Sequence, residues 1–115
     1  MIKRKDWKWL GYAGHFCQCY KCKFSLATEI GDFLVSTIGD MHNDFYDDDP
    51  ITIGGEGSFY ETMVFSLKDE YYHDDSGCRV PDYSDCIQSE YYMDSVHARE
   101  GHMKICKQIS KRGNQ

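Results

Sequence analysis

A chain of 115 residues, 41% apolar and 15% aromatic, has the length of one domain and too much apolar surface for a disordered segment. We therefore expect a single domain over residues 1–115. The net charge of −6 is unevenly laid out: residues 1–28 carry +5, residues 29–94 carry −15 and residues 95–115 carry +4. So acidic a middle repels phosphate and argues against direct nucleic-acid binding, which rests on lysine and arginine; it suits a basic protein surface instead.

The chain opens on "MIKRKDWKWLGYAG", basic but without the apolar run of a signal peptide. No stretch approaches a membrane span. The expected location is the cytoplasm, where thiols stay reduced. A short strand is expected around Trp7–Tyr12. From Cys22 the residues Cys22, Phe24, Leu26 and Thr28 alternate with Lys23, Ser25, Ala27 and Glu29, and Gly31-Asp32 then makes a two-residue turn. With the β-branched run up to Ile38 this predicts a hairpin over 22–38. After an acidic, glycine-bearing loop, residues 59–68 alternate again and predict a third strand. Residues 69–94 are rich in Asp, Ser and Tyr with Gly77 and Pro81. They read as a loop, with Ser84 or Asp85 as an alternative helix start. From Asp94 or Ser95 the pattern is helical, with Ala98, His102, Ile105 and Ile109 on one stripe. Gly101 costs that helix about 1 kcal/mol relative to alanine, so packing or a ligand must hold it. The expected fold is α+β: a small antiparallel sheet, made of the hairpin 22–38 and the strand 59–68, with a C-terminal helix.

"GHFCQCYKC" places Cys17, Cys19 and Cys22 within six residues. His102 and Cys106 lie one helical turn apart on the apolar stripe. Cys19-x2-Cys22 or Cys17-x4-Cys22, joined to a His/Cys pair at i and i+4, has the spacing of a closed tetrahedral zinc site. The expected cofactor is thus structural Zn²⁺, held by residues drawn from Cys17, Cys19, Cys22, His102 and Cys106. His15 is an alternative ligand. His97 falls on the opposite side of the helix from Cys106. Cys78, Cys86 and His73 mark a weaker second cluster.

A catalytic reading lacks its parts. The deaminase pattern and the Walker loop are absent, and "GGEG" is too short and acidic to cradle phosphate. The carboxylates sit in segments whose spacing specifies no acid/base pair. The expectation is a non-catalytic protein that binds through its acidic middle, with Asp47, Asp48, Asp49, Tyr71, Tyr72, Asp74 and Asp75 as contact residues. The alternatives are a small metal-dependent hydrolase, or a zinc-stabilised nucleic-acid module using Lys3, Arg4, Lys5, Lys21, Lys23, Lys104 and Lys107.

At "WLGYAGHFC", "LVSTIGD", "YETMVF" and "GHMKIC" the chain resembles a family of small Cys/His proteins carried by phages, prophages and metagenomic contigs. The second cysteine of "CQC" departs from the single leading cysteine of that pattern. In size, charge and metal signature the chain is also similar to anti-CRISPR inhibitors of type II effector nucleases. That resemblance implies a basic partner of the Cas9 type, which holds nucleic acid in basic channels, and action in the cytosol of a bacterial host.

Overall fold

The computed structural model of the chain describes residues 7–11, 14–15, 20–43, 50–53, 57–71 and 79–112. Five strands lie side by side in chain order, each antiparallel to the next. They are β1 (Trp7–Leu10), β2 (Tyr20–Ile30), β3 (Phe33–Asn43), β4 (Tyr60–Tyr71) and β5 (Arg79–Tyr92); helix α1 (Ser95–Arg112) follows. The expected α+β class holds, with five strands where the sequence reading placed three and a short fourth.

The hairpin closes where the turn chemistry puts it. Ile30 pairs with Phe33 across Gly31-Asp32, and Gly31 takes a φ of 58°, a left-handed value that costs glycine nothing. The register then aligns whole rows across the sheet. Thr28, Val35, Val64 and Gln88 form one row, and Leu26, Thr37, Thr62 and Glu90 the next. Both rows point to the face that α1 covers. Ile30, Val35, Val64, Ile105, Cys106 and Ile109 make the core there. Burying a side chain such as Ile109, which is fully enclosed, contributes about 1.5–3 kcal/mol. On the opposite face Ala27, Leu34, Phe65 and Leu67 form a second, smaller cluster.

Asp94 caps α1. Its carboxylate accepts the His97 N–H at 2.8 Å, and its carbonyl accepts the Ala98 N–H at 3.0 Å. The predicted stripe is the buried one: Ala98, His102, Ile105, Cys106 and Ile109 are all at most 3% exposed. His97 is exposed on the far side, as its helical angle requires. Gly101 is held by packing: a Cβ there would sit 2.3 Å from the Tyr92 ring, so the bare backbone lets α1 close onto β5.

Residues 79–92 are a strand and not a loop, and no helix starts at Ser84 or Asp85. The reason is position. β5 is the outermost strand and most of its residues are exposed, so it needs no apolar alternation. Its start is tied down by Arg79, whose guanidinium donates to the carbonyls of Leu67 and Lys68 and to Asp32 at 3.0 Å. Among the described residues no helix is long and apolar enough to cross a membrane.

Candidate functional site

Among the described residues, chemistry collects at the buried His102 under α1, at the buried His15 on the opposite face, and along the acidic outer edge of the sheet.

α1 carries His102 and Cys106 inward onto Thr28. The His102 ring is fully buried, with Nε2 2.9 Å from Thr28 Oγ1 and Nδ1 2.7 Å from Thr37 Oγ1. Thr37 in turn meets Thr62 Oγ1 at 2.5 Å, and Trp9 stacks obliquely on the imidazole at 5.5 Å. Both ring nitrogens are thus engaged by hydroxyls, which can donate to one and accept from the other. Burial pulls the imidazole down to about 4, so it is neutral at physiological pH. Burial also pushes the Cys106 thiol up to about 11, against a smaller opposing pull from its hydrogen bond with Thr28. A buried thiol with a raised pKa is a packed, protonated side chain.

Of the expected zinc ligands, His102 and Cys106 are brought together. Cys22 is not brought to them. It lies on β2 opposite Met41, four residues from Leu26, the partner of Thr37, which at about 3.3 Å per residue is roughly 13 Å along the strand. Zinc ligands lie about 2–2.3 Å from the ion, so Cys22 shares no tetrahedron with His102. Cys17 and Cys19 lie outside the described residues, as do His73 and Cys78. Cys86 is exposed on β5. Among the described residues no group of three or more His, Cys, Asp or Glu side chains converges at metal-binding distance.

A second buried histidine is His15, the alternative zinc ligand by its spacing. His15 lies across the face of the sheet opposite α1 and is 5% exposed. Its Nδ1 is 2.6 Å from Ser36 Oγ and its Nε2 is 3.1 Å from Glu61 Oε1, while its ring meets Phe65 edge-on. Next to it, the Gly14 carbonyl accepts the Tyr83 hydroxyl at 2.9 Å. A serine, a histidine and a carboxylate in one hydrogen-bonded line is the arrangement of an activated nucleophile. Here Ser36 is completely buried. A Cβ on Gly14 would sit 2.3 Å from Ser36 Oγ, so the strap seals the hydroxyl that a substrate would have to reach. The cluster therefore acts as a polar peg holding the 14–15 segment to the sheet. Its one signal in the sequence is Glu61, a carboxylate in the otherwise apolar series Phe59, Met63, Phe65, Leu67.

The third place is the edge. Between Val80 and Asp94 every charged residue is an acid: Asp82, Asp85, Glu90 and Asp94. Tyr83, Ile87, Tyr91 and Met93 are exposed among them. Glu61 raises the Tyr91 phenol, with burial adding to it. Asp69 and Glu70, at the end of β4, extend the acidic surface. Of the residues expected to contact a partner, Asp47, Asp48, Asp49, Tyr72, Asp74 and Asp75 lie outside the described residues. Tyr71 ends β4, paired with Arg79. The edge residues belong to the acidic middle expected to bind a partner, and the structure presents them on a strand, Arg79–Tyr92, where a loop is expected.

No family model, no characterised protein and no solved structure matches this chain.

Proposed function

We propose that this chain is a non-catalytic interaction protein that binds a basic, nucleic-acid-handling partner through the acidic side of its sheet. The effector we favour is a type II, Cas9-type nuclease, inhibited in the manner of an anti-CRISPR protein in the bacterial cytosol. One observation carries the reading: the β5 edge sets Asp82, Asp85 and Glu90 among exposed Tyr83, Ile87 and Tyr91, with no lysine or arginine between residues 80 and 94. Opposite charge speeds encounter with a basic channel, and aromatic side chains supply contact area at low entropic cost.

The test pairs the native protein with a variant carrying D82N, D85N and E90Q. Association with a guide-loaded type II effector should slow by about tenfold or more at low salt, and target-DNA binding by that effector should recover. Unchanged inhibition with unchanged salt dependence would remove the reading. Structural zinc is part of the same proposal and has its own measurement. Elemental analysis should give about one zinc per chain, with Cys17 and Cys19 as the thiols to substitute. Zinc-free native protein, with all six cysteines titrating once it is unfolded, retires the staple and leaves the acidic edge untouched.

A further inference from the structure

The two edges of the sheet are not alike. β1 is four residues long and carries an exposed Lys8, and short length and lysine are the usual guards against strand pairing. β5 is fourteen residues long. Its first half is guarded by Pro81 and by the register shifts around Phe65, Ser66 and Leu67. Its second half has no such guard. Gln88 to Tyr92 pair with Val64 to Tyr60 without a shift, and this stretch holds neither proline nor lysine. Among the described residues nothing pairs with its outer side.

A groove of about 320 Å³ runs beside that stretch, between β5 and α1. Tyr92, Gly101 and Ile105 line it with Glu90 and Glu100, and Lys104 stands on the α1 side. His97, also in its wall, is already paired with Asp94 at 2.8 Å. On the other face of the same strand Tyr91 is 46% exposed. A sixth strand laid against β5 would send alternate side chains into the groove, toward the two glutamates, and the rest toward Tyr91.

We propose that β5 and the β5–α1 groove take up an extended segment of the partner in which lysine or arginine alternates with aliphatic residues. The inference rests on the acidic-surface reading above and adds its mode: main-chain pairing gives register, the carboxylates select the cations, and the aliphatic side chains cover Tyr91. Opposite charges across paired strands stabilise and like charges destabilise. That argument turns away the other natural occupant, the β5 edge of a second copy, which would set Asp82, Asp85 and Glu90 against their own kind.

The test uses the full chain, isotopically labelled, and two peptides of equal length and charge. One alternates lysine with valine; the other has two of its central valines replaced by proline. The alternating peptide should bind and slow the amide exchange of residues 88–92. The proline peptide should bind about tenfold or more weakly, because each proline removes a ladder donor. E90Q with E100Q, both at exposed positions, should weaken the alternating peptide by about fivefold. Equal binding of both peptides with no exchange protection would overturn strand addition while leaving the acidic-surface reading standing. Absence of peptide binding would also overturn it, as would concentration-dependent dimerisation that protects the same amides. The acidic-surface reading is judged separately by the effector assay.

Discussion

Acid should unfold this protein partly through one side chain. In zinc-free protein His102 has a folded-state pKa of about 4, against 6.5 for an ordinary histidine, and burial is the cause. Between those values the unfolded chain binds a proton that the folded chain refuses. The contribution of His102 is therefore complete above about pH 6.5 and is lost as the pH falls toward about 4. At 1.36 kcal/mol per unit the full loss is about 3 kcal/mol, a large share of the roughly 5–15 kcal/mol that stabilises a typical domain. Carboxylates also titrate in this range, so the measurement is a difference. Urea unfolding is followed from about pH 7.5 down to about pH 4 for the native protein and for H102Q, whose amide can still bond Thr28 and Thr37 but does not titrate. The variant should be less stable at neutral pH and should lose less on acidification, so that the two curves converge. Parallel curves would refute the reasoning, as would a His102 proton titrating near 6.5 in a histidine-resolved NMR experiment.

Three further outcomes follow from the packing. G101A should destabilise by about 1–3 kcal/mol in thermal or urea unfolding: the added Cβ meets the Tyr92 ring at 2.3 Å, and overpacking of that kind outweighs the roughly 1 kcal/mol gained in helix propensity. H15A should cost about 1–3 kcal/mol, because it strips Ser36 and Glu61 of a buried partner; an unchanged melting temperature would show that the strap carries no stability. The α1 cap should respond to pH in both directions. The Asp94 carboxyl is held below its ordinary value by the His97 backbone N–H and side chain, so its support is present above the usual carboxylate range and lost as pH falls through the lowered value. His97 is raised by its hydrogen bond with Asp94 and by that residue's charge, so its support is present below about pH 6.5 and lost as pH rises through the raised value. Helicity of D94N should lack both limbs, as read by circular dichroism at low salt.

The local elements were legible because each is stated by its own residues. Gly31-Asp32 between two alternating runs closes a hairpin by turn chemistry alone, and the Ala98–Ile109 stripe declares both the helix and its inner face. The spacing of His102 and Cys106 likewise put both side chains on that face correctly. What they meet there is a tertiary matter. α1 docks over Thr28 and Thr37, not over Cys22, because the β2–β3–β4 register stacks Thr28, Val35 and Val64 under the apolar stripe. The same threonines supply the hydroxyls a buried imidazole needs. β5 was illegible for the converse reason. A strand at the rim is held by the hydrogen bonds β4 offers it, and with most of its residues exposed its composition is free to look like a loop. His15, Ser36 and Glu61 stand 21 and 46 residues apart in pairs, and only the folding of the 14–15 segment across the sheet brings them within hydrogen-bonding distance. Sequence period decides which way a side chain points; the partner it finds depends on which strands lie beneath it.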